Sequence, residues 1–599
     1  MIDFNIPIDE ALSAIFRAHG EKIGVRPEHA QVQYSNKGAQ FQCNGALASA
    51  KALKRAPRAI AEAWIASVQS AEPELFSTLE IAGPGFINIS VSYETLARKM
   101  RVMSADERLG VPQTTTPQRV FVDFGGYNVA KQLHIGHLRS TIIGETLQRI
   151  LRFVGDDVVS DVHLGDWGTQ MGMLIEAVRE LDPTLPYFHE DLDAQPEGGY
   201  PAESPITLED MNRLYPRASA RSKSDPEVRA SASRATALLQ AGHQGYRALW
   251  RHFVDLSIAE IKRDIEPFDV HFDLWRGESD AQPRIPTLIE DLKRADHAEM
   301  SDGALIVPLT DHKGQEMVPL MLLKRDGGAT YHTSDLATIA ERVDDGAQRI
   351  LYVVDARQEM HFKQVFQAAK QTGVVGEEMT LEHVKFGTIN GEDGRPFKTR
   401  SGDTVKLRDV VQMAIEAAQV RTQSEDAPPE SEETPLLTAE QSEISQAVAV
   451  AAIKFGDLNN HRTSDYILKL EDFCAFEGKT GPYLLYASVR IRSILKKAQE
   501  RGIVPGEIMV VGPEDGALAL ELTRLPLVIK SVHEKSTPHL LCEYLFNLSQ
   551  SFSVFYQRCN IVRQPDPAVQ SGWLALVSLC LDTLLLGFKL LGLRAPERM

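Results

Sequence analysis

The chain has 599 residues, 43% of them hydrophobic and 24% charged, with a formal net charge of −18. That length is too great for one core and predicts about three or four domains of ordinary globular composition. The acid excess argues against a protein that coats nucleic acid through bulk charge, while leaving room for a local basic groove. Five scattered cysteines (Cys43, Cys474, Cys542, Cys559 and Cys580) never form C-x-x-C. They read as reduced, buried thiols, with neither a disulfide frame nor a zinc knuckle. The opening MIDFNIPIDEAL carries acids where a secretory signal needs an apolar run. The apolar stretch Trp573 to Leu593 is interrupted by Asp582, Thr583 and Lys589, which predicts a buried helix in place of a membrane span. A cytoplasmic protein with no membrane partner is expected.

Residues 1–112 mix patterns: Ala46 to Leu53 is helical in propensity, and Leu79 to Ile89 reads as a hairpin about Gly83-Pro84-Gly85. Thr114 to Pro117 suits a linker. Over 117–422, short β-rich runs alternate with helical patterns, the signature of a doubly wound parallel sheet. Arg119 to Phe124 is a strand, and Leu138, Ile142, Ile143, Leu147, Ile150, Leu151 and Val154 share one helical face that Gly155 ends. Val158 to Leu164 follows at βαβ spacing. Further strands are expected at Arg349 to Val354 and Val384 to Ile389, with a helix from Met360 to Gln371 between them. About 185–285 is polar and helical, an insertion between the halves of the sheet. The acidic, Pro-bearing segment 423–441 reads as a linker or loop. Over 442–599 no strand pattern persists, and Leu540, Leu541, Tyr544, Leu545, Leu548, Phe552 and Tyr556 on one face predict an all-α bundle.

Chemistry concentrates at the carboxyl ends of the expected strands. His134-Ile135-Gly136-His137 sits where a strand turns into a helix, beside unpaired backbone N–H groups and the positive end of the helix dipole. Such a place suits an anion, particularly a triphosphate. An isolated H-x-x-H is usually a capping or packing feature. Here further phrases follow in matching positions: His163 to Gln170 after the second strand, Asp355 to His361 after a later one, and the basic loop Asp393 to Gly402. Tyr331-His332-Thr333-Ser334-Asp335 adds an acid, whose plainer reading is an N-cap for a helix beginning at Leu336. Spacing alone indicates a nucleotide-binding α/β enzyme.

Five phrases carry a closer likeness: Asn128 to Gly144 (NVAKQLHIGHLRSTIIG), His163 to Gln170 (HLGDWGTQ), Phe397 to Gly402 (FKTRSG), Ala475 to Tyr483 (AFEGKTGPY) and Pro596 to Met599 (PERM). With them the chain resembles the class I aminoacyl-tRNA synthetases, specifically the arginyl-tRNA synthetase family. The resemblance spans nearly the whole chain and is looser over the first 110 or so residues. It implies a multidomain α/β protein: a Rossmann-like catalytic sheet domain with a helical insertion, an N-terminal α+β module at the tRNA elbow, and a C-terminal all-α anticodon-binding bundle.

The resemblance also implies a two-step reaction. Arginine's carboxylate attacks the α-phosphate of ATP, and the arginyl group then passes to the terminal adenosine of tRNA(Arg). Catalysis falls to His134 and His137 on the phosphate oxygens, with Lys131, Lys398 and Arg400 sharing the cationic role. The second signature loop of the class, K-M-S-K-S, is replaced here by Pro396 to Arg400, so Lys131 compensates. ATP is placed against Ala130, His134, Gly136, His137, Asp355, Gln358, His361 and Phe397. Arginine is placed against Asp123, Asn128, His134, Tyr331, Asp335 and Gln358, with Tyr331 and Asp335 at the guanidinium. Tyr483, Arg490 and Met599 are implied to contact tRNA, and Gln40 to Ala46 is a weaker tRNA-facing candidate. Mg²⁺ accompanies ATP as part of the substrate, no structural metal is expected, and a monomer is the family norm. Two other readings are a class I enzyme for another substrate and a non-catalytic tRNA-binding relative. Retention of both histidines disfavours the second.

Overall fold

In a computed structural model, residues 2–35, 38–325, 327–395, 397, 405–423 and 439–599 are described. They form two compact units. One comprises Thr116–Val420 and Asn460–Asp472; the other comprises Met1–Thr115, Arg421–Asn459 and Phe473–Met599.

β-Branched and aromatic side chains between Arg119 and Asp123 make a strand buried along almost its whole length, as the middle of a two-sided sheet requires. Its neighbours are parallel on both sides, in the spatial order Thr380–His383, Arg349–Tyr352, Arg119–Asp123, Asp157–Asp161. The chain therefore winds one way from the strand Arg119–Asp123 and the other way from Arg349–Tyr352. Between them lies a topological switch point, where the loops at the carboxyl ends diverge and leave a crevice.

The helix Ile135–Val154 crosses from the first strand to Asp157–Asp161 with the expected apolar face buried. Gly155 ends it in the left-handed region at φ 112°. Gly144 on this helix lies against the buried ring of Phe124, so closely that an added Cβ would fall 2.2 Å from Cγ of that ring. This contact seats the helix, and with it the residues at its N-terminus.

The helical insertion is present as Leu208–Ser224, Pro226–Ala241 and Gln244–Ile265, around a core that includes Leu174, Tyr187, Leu239 and Phe253. Two expectations need correction. The strand expected at Val384 to Ile389 lies earlier, at Thr380–His383. Beyond it the ladder persists only as the Val384 N–H bond to Tyr352 O and a single Asp355–Phe386 bridge. At Gly387 the backbone passes so near Ser464 that a Cβ would meet its carbonyl carbon at 2.7 Å, and the chain changes partner. Ile389–Asn390 then pairs in parallel with Tyr466–Ile467, a strand beyond residue 440 where none was expected. Two residues are too few to show a period. Also unanticipated was the antiparallel sheet of Glu299–Ser301, Ala304–Thr310 and Glu316–Leu323, whose runs carry Pro308 and Pro319. Proline in a run speaks against a strand from sequence alone.

In the other unit, the Gly83-Pro84-Gly85 turn joins Phe76–Ala82 to Phe86–Val91 within a four-stranded antiparallel sheet. In the same unit the long helices Gly481–Glu500, His539–Arg558 and Pro567–Leu591 pack on one another, and Pro567–Leu591 also meets the helix Tyr93–Ser104. Tyr34 donates its hydroxyl to Thr523 O at 2.8 Å, and Arg101 Nε donates to Ile508 O at 2.9 Å. Pro567–Leu591 is long and apolar enough to cross a membrane, yet 72% of its most apolar window is buried inside this bundle. Cys43, Cys542 and Cys580 are buried free thiols, Cys474 is buried, and Cys559 is half-buried.

Replacing Gly144 by alanine should lower the stability of the sheet unit by about 1–3 kcal/mol through overpacking against Phe124. The measurement is a lower midpoint of thermal or urea unfolding; an unchanged midpoint would mean the helix is not seated there.

Candidate active site

His134 is the N-cap of the helix Ile135–Val154, with the extended backbone (φ −130°, ψ 170°) that a cap requires. Its Nδ1 accepts the Gly136 N–H at 3.0 Å, while its own N–H donates to Nδ1 of His137 at 3.1 Å. The two imidazoles thus satisfy helix-terminal donors in a reciprocal box. This is the capping reading of H-x-x-H, and it has a chemical consequence. A ring nitrogen that accepts a backbone N–H carries no proton, so in both neutral rings the proton sits on Nε2. The rings lie 4.0 Å apart between centroids, tilted by 35°, with the buried Tyr127 edge-on to His137 at 5.8 Å. Burial, followed by the neighbouring His134, pushes the His137 pKa down to about 3. His134 is lowered too, by burial and then by Lys131. Two uncharged Nε2–H donors therefore stand at the positive end of a helix, an arrangement suited to phosphate oxygens.

The loop leading into this helix is tightly constrained. Gly125 and Gly126 have positive φ, as does Ala130 at 65°, an uncommon conformation for a residue with a Cβ. Ala130 is buried, and its N–H is held by Ser257 Oγ at 3.0 Å. Val129 N–H and Asn128 pair with Gly165 of the HLGDWGTQ phrase. Lys131 next in the chain is exposed.

The expected second loop is rooted beside the histidines. Ile135 N–H donates to Val405 O at 3.0 Å, Leu407 N–H donates to Leu133 O at 2.9 Å, and His134 bridges Lys406. At its other end Phe397 N–H donates to Ile389 O at 3.2 Å. Lys398 and Arg400 lie outside the described residues. Arg139, on the same helix as the histidines and 1% exposed, donates to Ser464 O at 2.9 Å and packs over Tyr466. The signature helix is thereby tied to the strand that pairs with the other root.

Asp335 lies inside the helix Tyr331–Asp344, which begins at Tyr331 and is capped by Thr330. The N-cap reading of Asp335 is therefore overturned: the helix starts earlier, leaving this carboxylate free of a capping duty. Its Oδ2 accepts Nε2 of His361 at 2.5 Å, and Oδ1 is 4.0 Å from Nε2 of His163. Tyr331 in the first turn is 65% exposed. Asp355 caps the short helical turn Ala356–Gln358 and is engaged by the backbone N–H and guanidinium of Arg357. Gln358 is exposed.

Sequence reasoning missed two acids here. Glu278 opens the short helix Glu278–Ala281, and its pKa is raised to about 7, chiefly by burial. His163 and Lys131 oppose that rise, whereas Asp166 and Asp335 add to it. Lys131 in turn lowers the pKa of His134, after burial. Asp166 accepts Ser279 N–H and Oγ–H, at 3.0 and 2.6 Å. The phrase His163 to Gln170 pointed to Asp166; nothing in sequence spacing pointed to Glu278, which stands more than a hundred residues away. Asp123 is buried and bonded to Arg342 Nη2 at 2.7 Å.

Among the tRNA candidates, Tyr483 lies in the first turn of Gly481–Glu500, its ring 5.7 Å from that of Phe546. Arg490 packs over Tyr556 at 4.9 Å, Tyr486 is 44% exposed, and Met599 is half-buried next to Arg598, which pairs with Glu440. Within Gln40 to Ala46, Phe41 and Cys43 are buried and Gln42 bonds Asn88, so ordinary packing accounts for them.

Known proteins agree over the full length. Residues 99–470 match the family model for the class I (R) tRNA synthetase catalytic domain, 484–599 the DALR anticodon binding domain, and 5–91 the arginyl tRNA synthetase N terminal domain. The arginine–tRNA ligase of Maricaulis maris is 46% identical over 93% of this chain and 93% of its own. That of Hyphomonas neptunium is 45% identical over 98% and 99%. The crystal structure of arginyl-tRNA synthetase from Plasmodium falciparum shares the fold at a TM-score of 0.79, covering 99% of both chains at 24% identity. The Thermus thermophilus enzyme does so at 0.74, with 22% identity over 99% of this chain and 100% of that one. With the Nε2–H pair at the N-terminus of its signature helix, family models matched from the N-terminal to the C-terminal part, and relatives 45–46% identical over nearly the whole chain, the chain belongs to the arginyl-tRNA synthetase family of class I aminoacyl-tRNA synthetases.

Proposed function

We infer that this chain is an arginine–tRNA ligase, using ATP to activate L-arginine and passing the arginyl group to the terminal adenosine of tRNA(Arg). The observation that carries the reading is that the Nε2–H pair and Asp335 meet at one sheet edge: the loop before His134 pairs with Gly165, two residues after His163, whose Nε2 stands 4.0 Å from Asp335. In the first step an oxygen of the arginine carboxylate bonds to the α-phosphorus, and the bond to the bridging oxygen breaks to release pyrophosphate. In the second, a hydroxyl of the terminal adenosine bonds to the arginyl carbonyl carbon, and AMP leaves. Neither step asks the protein for covalent chemistry; it must position the reactants and stabilise charge on phosphate oxygens.

In this reading His134 and His137 donate from Nε2 to those oxygens. Being neutral, they bind phosphate without a full ion pair that would have to break at each turnover. Lys131, Lys398 and Arg400 supply the cations, and Mg²⁺ arrives with the ATP phosphates. Gly136 is exposed and lacks a side chain, which leaves the helix end open to the adenine. Ala130, Asp355, Gln358, His361 and Phe397 border the nucleotide. Asp335 takes the guanidinium beside Tyr331, Gln358 and Glu278, with His361 fixing the carboxylate. Asp123 and Asn128 take the ammonium and carboxylate ends of arginine. Residues 442–599 read the anticodon through Tyr483, Arg490 and Met599, and residues 1–112 touch the tRNA elbow.

Three measurements test this reading. Aminoacylation of total tRNA with labelled arginine should succeed, and His137→Ala should lower kcat by about 10²–10³, the cost of one transition-state donor. Failure of the unaltered chain to charge tRNA would end the assignment. Asp335→Ala should raise the KM for arginine at least about a hundredfold, since breaking a desolvated charge pair costs about 3–5 kcal/mol; an unchanged KM would remove Asp335 from the pocket. A pKa lowered to about 3 means His137 protonates only in strong acid. Its ring nitrogens should therefore show the Nε2–H tautomer by ¹⁵N NMR, without titrating as pH falls from 8 to 5.

A further inference from the structure

Beneath the cleft lies a second charge centre, of which the reaction scheme uses only Asp123. Arg342 stands on the helix Tyr331–Asp344, two turns after Asp335, and is 1% exposed. Its Nη2 donates to Oδ2 of Asp123 at 2.7 Å and to Oδ2 of Asp161 at 2.9 Å. These acids end adjacent parallel strands and are directly in register, so their charges are forced side by side. The guanidinium also lies over the rings of Tyr352 and Phe121, at 5.3 and 6.0 Å. The second oxygen of Asp161 receives the His163 N–H, a long contact at 3.4 Å. Among the described residues Oδ1 of Asp123 accepts no hydrogen bond. With both acids ionised, two anions share one arginine cation, and the cluster keeps a net negative charge. Burial raises the pKa of Asp123, and Arg342 is the largest influence opposing that rise.

We propose that Arg342 is a positioning residue for the amino-acid substrate: it holds Oδ2 of Asp123 so that Oδ1 faces the arginine ammonium, and it keeps the substrate's guanidinium out of the Asp123–Asp161 pair. The inference rests on the reading that Asp123 receives that ammonium. Arginine brings two cations to a site with two acid centres, one at Asp335 and one at Asp123 and Asp161. A planar fork matches paired carboxylates better than an ammonium does. With its own guanidinium already in place there, the protein leaves the substrate one guanidinium site, at Asp335, and one single-oxygen acceptor for the ammonium. The substrate is thereby held in one direction, with its carboxylate toward the phosphate.

The test compares two ligands in the full-length enzyme: L-arginine, and 5-guanidinopentanoate, which lacks only the amino group. Arg342→Met should raise the arginine KM by about tenfold or more, the scale of a lost charged hydrogen bond. The inhibition constant of 5-guanidinopentanoate should stay within about threefold, because its contact at Asp335 is untouched. Arg342→Lys should split the two ligands the same way but less, and it carries the test if the methionine variant fails to fold. Equal loss for both ligands, or loss for neither, would overturn the proposal, the former by showing only a structural role. Asp123→Asn, measured alongside, separates the causes. If it leaves the two ligands unsplit, the ammonium reading of Asp123 fails and the proposal with it. If it splits them while neither Arg342 variant does, Asp123 stands and Arg342 is excluded.

Discussion

The geometry of the site depends on a helix terminus closed by its own catalytic candidates. A helix begins with backbone N–H groups that have no internal partner, and most helices satisfy them with serine, threonine or aspartate. Here imidazole nitrogens do so, with Nδ1 of His134 on Gly136 and Nδ1 of His137 on the His134 N–H. Capping and catalysis, rival readings of H-x-x-H in sequence, become one arrangement: the cap sets the tautomer, and the tautomer sets which nitrogen can donate. A hydroxyl cap would close the helix equally well, but its O–H sits on the same atom that accepts the backbone N–H, whereas the imidazole carries its donor across the ring, away from the helix end.

That terminus works only if the elements around it are fixed relative to the sheet. Ser140 Oγ receives the Gly125 N–H at 2.8 Å and donates to Val353 O at 2.6 Å, joining the two strand ends that flank the switch point. Gly144 lets the helix approach Phe124, and Arg139 reaches Ser464 near the short strand Tyr466–Ile467. Three residues spaced along one helix therefore tie it to the first strand, to the switch point, and to a segment that comes back to the sheet unit after the helix Ala439–Leu458. Both roots of the second signature loop are paired to these same elements. Position along the helix is transmitted to both signature segments together.

Much of this was readable from residue pattern because the elements concerned are long or periodic. Ile135–Val154 shows a continuous apolar face and a glycine stop, and the parallel strands show dense β-branched runs. What escaped was short or distant. The strand Tyr466–Ile467 has no period to detect, and the prolines in Ala304–Thr310 and Glu316–Leu323 masked an antiparallel sheet. Asp335 looked like a cap because Leu336 opens the apolar pattern, whereas Thr330 caps a first turn whose outward residues are polar or exposed. Glu278 and Arg342 could not be found at all by spacing, since their meaning comes from partners brought in by topology. A charge pair is legible in a sequence only when both partners are local, as they are for Asp355 and Arg357.

The helix Tyr331–Asp344 carries one acid-binding residue and one acid seven residues apart, hence on the same face and about 10 Å apart along the axis at 1.5 Å per residue. Asp335 faces His361 and His163; Arg342 faces Asp123 and Asp161. A rigid helix thus sets the separation between the centre assigned to the guanidinium and the centre assigned to the ammonium. In the proposed assignment, an extended arginine places one cation at each of these centres. Lysine offers a shorter stem and a point charge without a fork, so it cannot satisfy both ends with comparable geometry. Selectivity would then reside less in any one carboxylate than in the fixed distance between two, one of them already neutralised in part by the protein's own arginine.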